Sequence, residues 1–220
     1  MTVGPQCVQN VDMVVENQKI AVMLSGSGTT LQNLIDHQAS GTLIGTIQLV
    51  ISDNERAFGL ERARGVGIES IVLTPSSFAS ESAYESELFE RLNNANIRLV
   101  VLAGYLKKVP INSSWAGRII NIHPALLPKF GGPGMYGLKV HRQVLDAKGS
   151  ISGCTVHFVD DQYDHGPIID QGFVRVYVND SPESLQSRVQ ICERALLPKA
   201  INDVLMEKVK LESNNRISRL

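Results

Sequence analysis

Apolar residues run without interruption through Lys19-Ile20-Ala21-Val22-Met23-Leu24-Ser25 and stop at Gly26. A run this short and continuous fits a parallel strand buried on both faces, with a glycine turn after it. From Thr29 to His37 the spacing changes, and Leu31, Leu34 and Ile35 recur at helical intervals. The alternation then repeats. Leu43 to Ser52 reads as a strand, Ala57 to Gly65 as a helix, Ser70 to Leu73 as a strand and Ser80 to Asn93 as a helix. Leu99 to Ala103 and Ile119 to Ile122 are two further strands, the second ending at His123-Pro124. Strands alternating with helices predict an α/β fold. Its sheet is doubly wound and mainly parallel, with right-handed crossovers and a Rossmann-like N-terminal half.

After Pro124 the pattern changes. Leu127 to Tyr136 holds two prolines and three glycines and reads as an irregular surface loop. Val140 to Leu145 is a short helix; Ser152 to Val159 and Ile168 to Val178 are strands joined by Asp160 to Pro167. Asp180-Ser181-Pro182-Glu183 starts a helix that runs to about Met206, with Pro198 as a point of kinking. Glu207 to Leu220 is charged and reads as a fraying end after a short extended piece. Residues 1–18 are polar and read as a poorly ordered extension, not a signal peptide. The organisation expected is one domain over 19–210 with a C-terminal tail, 211–220.

Composition narrows the function classes. Lys and Arg number 21 against 22 Asp and Glu, which leaves no overall basic footprint for nucleic acid. The three cysteines, Cys7, Cys154 and Cys192, show no paired spacing, so a reducing, cytoplasmic setting is expected. No apolar run reaches the roughly 18 residues of a membrane span. His37, His123, His141, His157 and His165 show no metal-ligand spacing, and no metal is expected. His157 alternates with apolar residues and reads as a hydrogen-bonded core histidine.

Three segments carry candidate chemistry. Ser25-Gly26-Ser27-Gly28-Thr29-Thr30 lies between a strand and a helix start. Its glycines allow close backbone approach, and the helix end offers free N–H groups, so a phosphate is a natural guest; a plain tight turn is the other reading. The third glycine of a dinucleotide site and the Gly-Lys of a P-loop are both missing. In Ile119-Ile120-Asn121-Ile122-His123-Pro124, Asn121 and His123 leave the same face of a strand, at the sheet end where ligands bind. Such a pair could donate to an oxyanion, or it could be a satisfied core pair that pins the loop. Tyr163-Asp164-His165-Gly166-Pro167 is an ordinary turn unless Asp164 meets His123, whose imidazole it would orient and favour as imidazolium.

Together, Leu24 to Gln32, Ala57 to Arg64, Asn121 to Lys129, and Thr155 to Val159 with Asp164-His165-Gly166-Pro167 resemble the phosphoribosylglycinamide formyltransferase family, over about Ile20 to Lys208. The resemblance implies a sheet of the formyltransferase type and transfer of a formyl group from 10-formyltetrahydrofolate to the amine of glycinamide ribonucleotide, in purine synthesis, as monomer or homodimer. Residue by residue, it implies Asn121, His123 and Asp164 as catalytic. Gly28, Thr29 and Thr30 match the stretch that holds the substrate phosphate, and Gln190 and Glu193 the glycinamide end. Leu106, Lys107, Lys108, Val109, Asp160, Asp161, Gln162 and Tyr163, with Asn121 and Asp164, match the folate-lining segments. Three positions depart from the family pattern. Thr30 stands where Asn is common, Glu81 where Arg is frequent, and the loop Gly131 to Lys139 is longer than the commonest form.

The expected reaction is direct attack in a ternary complex, with Asn121 and protonated His123 on the oxyanion and a proton passed to the folate nitrogen by His123 or by a water held by Asp164. A folate hydrolase would be expected to carry an extra N-terminal domain, and a tRNA formyltransferase a second, basic one. A non-catalytic nucleotide-binding module would give no reason for the three polar residues to converge.

Overall fold

The computed structural model describes residues 18–220; of the expected N-terminal extension, 1–18, residues 1–17 lie outside the described residues. Its centre is a seven-stranded sheet in the order β3-β2-β1-β4-β5-β6-β7. The strands are β1 (Lys19–Leu24), β2 (Thr46–Ser52), β3 (Glu69–Val72), β4 (Leu99–Leu102), β5 (Ile119–His123), β6 (Ile151–Phe158) and β7 (Ile168–Arg175). The first five pair in parallel, and β6 and β7 add on antiparallel. The helices are α1 (Thr29–Ala39), α2 (Phe58–Gly65), α3 (Glu81–Asn94), α4 (Leu138–Asp146) and α5 (Pro182–Leu205). This is the expected doubly wound, mainly parallel architecture.

The apolar runs do what their pattern demands. All but the first residue of β1 are buried, and alternate side chains feed two separate cores. Val22 and Leu24 join Leu31, Leu34 and Leu60 on one side of the sheet, together with Leu185, Val189 and Leu197 of α5. Ala21 and Met23 join Tyr84, Leu88, Leu92 and Trp115 on the other. Helix ends follow their sequence signals. Ser80 accepts from the Ala83 N–H and starts α3, and Ser181 and Ser184 form a reciprocal capping box across Pro182. Glu81 sits in the first turn of α3, where a carboxylate suits the helix dipole.

One local feature is satisfied at a distance and one expectation gives way. α5 runs helical through Pro198, as expected. Proline cannot supply the N–H that the Arg194 carbonyl would normally accept. Instead the Asn33 side-chain amide donates to that carbonyl at 3.0 Å, which ties α5 to α1. The C-terminal end does not fray. β8 (Val209–Leu211) and β9 (Ile217–Arg219) form an antiparallel hairpin. Val209 is buried, Leu211 packs over the bare face of Gly117, and Arg219 donates to the Ile169 carbonyl.

Candidate active site

In this strand order the connections leave in opposite directions at β1 and β4, so a crevice opens beyond their carboxyl ends. The two loops that follow are cross-tied there. The Ser25 N–H donates to the Gly104 carbonyl at 3.0 Å, and the Leu106 N–H donates to Ser25 Oγ at 2.9 Å. Gly28 takes the left-handed conformation, φ 69°, as the N-cap of α1, and no side chain caps that helix. The free N–H groups of its first turn therefore face outward beside Thr29 and Thr30. A Cβ on Gly28 would stand 2.5 Å from the Gly59 Cα, so this turn has room only for glycine. Arg62 Nε fixes the loop from behind through the Ser27 carbonyl, at 2.9 Å.

A cleft of about 410 Å³ runs from Thr30, Gln190 and Glu193 past Leu106 to Asn121, His123 and Asp164. A small side groove holds Thr29, Thr30, Asn33, Gln190 and Glu193, which lie together because Asn33 docks on α5. A second side pocket holds Lys107, Lys108, Val109, Asp160, Gln162 and Tyr163, and it shares Asn121 and Asp164 with the main cleft. The three expected groups of site residues thus meet on one floor. Asp161 is exposed and lines neither cleft. A larger cleft, about 640 Å³, opens at the opposite end of the strands between Arg98, Arg118 and the β8–β9 hairpin and holds none of these residues.

The floor is a hydrogen-bonded set. Asn121 faces His157 directly in the β5–β6 register. The His157 Nδ1 bonds the Phe158 carbonyl at 2.8 Å, which accepts only, so Nδ1 carries the proton and Nε2 is an acceptor. The Asn121 amide therefore donates to His157 Nε2 at 3.0 Å and to Asp164 Oδ1 at 3.3 Å. The Gly132 N–H donates to Asp164 Oδ2 at 3.0 Å. His123 Nε2 donates to the Phe130 carbonyl at 2.8 Å, leaving its Nδ1 3.4 Å from Asp164 Oδ2. The long loop thus contributes to the floor through the backbone of Phe130 and Gly132. Beneath it, the buried Thr155 hydroxyl donates to the Ala125 carbonyl at 2.7 Å and accepts from the Leu127 N–H at 3.1 Å, pinning the turn after Pro124 to β6.

Charge states follow from this packing. His123 is 3% exposed, and burial pushes its pKa below the ordinary imidazole value; Asp164 and the Phe130 carbonyl pull the other way without overcoming it. His123 is therefore mainly neutral at neutral pH in the free protein. Burial likewise pushes the Asp164 carboxyl up, but the polar groups around it, the Gly132 N–H among them, hold it below its ordinary value. Glu193 is pushed up to about 7 by burial. His141 of α4, a cleft residue that sequence patterning did not single out, is pushed down to about 4 by burial and by the neighbouring His123.

His157, a further candidate that the sequence reads as a hydrogen-bonded core histidine, belongs to this set as well. Its signal was present, because a polar residue alternating along a buried strand needs a polar partner, but the partner becomes visible only in the register with β5. Residues 132–137 of the long loop also line the cleft.

Donors gathered beside a general base, with open approach from two sides, suit attack on a carbonyl carbon and release of a nitrogen. With this sheet and this floor, the class is that of formyl-group transfer, and the chain belongs to the formyl transferase family, whose model matches residues 18–201. Within that family it is 40% identical over 197 residues to the phosphoribosylglycinamide formyltransferase of Escherichia coli, covering 89% of this chain and 91% of that protein. It is 38% identical over 212 residues to the chloroplastic phosphoribosylglycinamide formyltransferase of Arabidopsis thaliana, covering 94% of this chain and 73% of that one. Its fold is similar to the crystal structure of glycinamide ribonucleotide transformylase 1 from Symbiobacterium toebii. There the TM-score is 0.84 and the identity 38%, with 93% of this chain and 95% of that chain covered. Among the described residues no helix is long and apolar enough to cross a membrane.

Proposed function

We propose that this chain transfers the formyl group of 10-formyltetrahydrofolate to the amine of glycinamide ribonucleotide in purine biosynthesis. The observation that carries the reading is the shared floor. Asn121, His123 and Asp164 stand where a cleft beside the Gly28–Thr30 turn meets a pocket beside Leu106–Val109 and Asp160–Asp164. In this reading the substrate phosphate sits on the free N–H groups of α1 with Thr29 and Thr30, and Gln190 and Glu193 face the glycinamide end. The pterin occupies the side pocket.

Attack forms the bond between the amine nitrogen and the formyl carbon and puts negative charge on the formyl oxygen. Asn121 releases the longer of its two hydrogen bonds, the one to Asp164, and turns that N–H to the oxyanion. Neutral His123 takes the proton lost by the attacking nitrogen at Nδ1, the nitrogen not engaged by Phe130, and Asp164 stabilises the imidazolium that results. As the bond from carbon to the folate nitrogen breaks, the proton passes to that nitrogen, directly or through a water held by Asp164. Each proton removed at one nitrogen is delivered to the other.

The test is absorbance change on mixing enzyme, 10-formyltetrahydrofolate and glycinamide ribonucleotide. Turnover that requires both substrates is expected. Formate release without the amine would replace the proposal with a hydrolase, and binding of both without turnover would replace it with a binding module.

A further inference from the structure

Behind the glycinamide end of the crevice, two cysteines meet across a helix–sheet boundary. Cys154 on β6 is buried, and Cys192 on α5 is partly exposed. Cys154 lies opposite Gly172 in the β6–β7 register. A Cβ on Gly172 would stand 2.2 Å from the Cys192 sulfur and 3.4 Å from the Cys154 sulfur. Both sulfurs therefore fill the space left by one missing side chain. The thiols act on each other: after burial, the nearby Cys192 and then Glu193 push the Cys154 thiol further up. A reachable thiol backed by a buried one is the arrangement in which the first is attacked and the second resolves it.

We propose that Cys154 and Cys192 form an oxidisable pair that closes to an internal disulfide and weakens the adjacent glycinamide subsite. Hydrogen peroxide serves as the oxidant. The Cys192 thiolate attacks one peroxide oxygen; an S–O bond forms, the O–O bond breaks, and the departing hydroxide becomes water with the proton the thiol gave up. The Cys154 sulfur then attacks the Cys192 sulfenic acid. The S–S bond forms, the S–O bond breaks, and a second water leaves with the Cys154 proton. Two thiols lose two electrons in all, and the peroxide gains them.

The consequence for the subsite follows from which element can move. Cys154 pairs with Gly172 of β7 on a strand that β5 and β7 flank, whereas Cys192 sits on a helix that packs on the sheet by side chains. A disulfide needs its sulfurs at about 2.05 Å, closer than any contact between thiols. The adjustment therefore falls on the turn of α5 that carries Gln190 and Glu193. This second half of the inference rests on the reading that those two residues face the glycinamide end.

The test uses the full chain with Cys7→Ser, which leaves two of the three cysteines. The reduced protein is treated with hydrogen peroxide, remaining thiols are blocked with iodoacetamide, and the digest is examined by mass spectrometry. A peptide linking Cys154 to Cys192 is expected. KM for glycinamide ribonucleotide should rise roughly threefold or more with a smaller change in kcat, and dithiothreitol should reverse both effects. With Cys192→Ser, activity should be ordinary and indifferent to peroxide. Sulfinic acid on Cys192 with no linked peptide would overturn the pair, and a linked peptide with unchanged KM would overturn its hold on the subsite. Absence of transfer in the untreated protein would count against the functional reading instead, and the linked peptide would still decide whether the pair closes.

Discussion

Glu193→Gln should change how stability depends on pH, and the size of the effect can be worked out from the site. An ordinary glutamate titrates near 4.5, whereas burial in the crevice brings Glu193 to about 7. A carboxyl whose folded pKa is raised contributes fully below its unfolded pKa and loses that contribution as pH rises through the folded one. At about 1.36 kcal/mol per pH unit, the span from 4.5 to 7 amounts to about 3 kcal/mol. His141 works in the opposite sense. Its pKa falls from 6.5 to about 4, so its contribution is present above 6.5 and is lost as pH falls toward 4. The two nearly cancel between pH 4.5 and 6.5, and His123, also depressed, contributes in the same sense as His141. Glutamine keeps the shape of the protonated acid and removes its titration. At pH 4.5 the variant and the parent should be equally stable, and by pH 7 and above the variant should lead by about 3 kcal/mol, roughly 6–12 °C in Tm for a chain of this size. Urea unfolding at a series of pH values measures it. Two parallel curves would show that Glu193 ionises at its ordinary pH and that burial does not control it.

Three further outcomes are expected. His123→Ala and Asp164→Asn should each lower kcat far more than they raise either KM, by roughly 10²–10³, and their double variant should be little worse than the poorer single one; fully multiplicative losses in steady-state kinetics would separate the two residues. His157→Phe removes the acceptor that holds the Asn121 amide, so kcat should fall roughly tenfold or more at nearly constant KM, and an unchanged kcat would free Asn121 from its neighbour. Gly28→Ala should cost at least about 1–3 kcal/mol in urea unfolding, because its backbone is left-handed and the new Cβ meets the Gly59 backbone; a neutral change would mean that the turn can move.

Which features the sequence revealed depends on the range of the interactions behind them. The strands of the parallel half were readable because burial on both faces leaves an apolar run, as over Ile20–Leu24, that no other element explains as well. Asn121 and His123 were readable because two polar side chains on one face of such a strand need a reason to be there. His157 was recognised as hydrogen-bonded but not as part of the floor, since its place opposite Asn121 belongs to the register of an antiparallel strand 36 residues away. The same holds for Pro198. The rule against proline inside a helix is sound, but here the vacant carbonyl is satisfied by Asn33, 161 residues earlier in the chain. Local chemistry leaves a carbonyl vacant, and a distant amide fills it. The C-terminal end looked too charged to order, yet Val209 and Leu211 give the hairpin an apolar edge that the body of the fold can bury.

The long loop shows the same division and reaches furthest into function. Its glycines and prolines said only that it was irregular, but Phe130 and Gly132 present a carbonyl and an N–H that hold His123 and Asp164. Those contacts are made by backbone, so the Phe130 side chain does not itself form them. They depend instead on the turn geometry of the loop. The Phe130 backbone is left-handed, φ 60°, and a Cβ on Gly131 would press on Asp164 at 3.0 Å and on Leu127 at 2.6 Å. The part of this site that orients His123 and Asp164 is therefore written in the path of the chain, which a residue-by-residue reading of side chains does not reach.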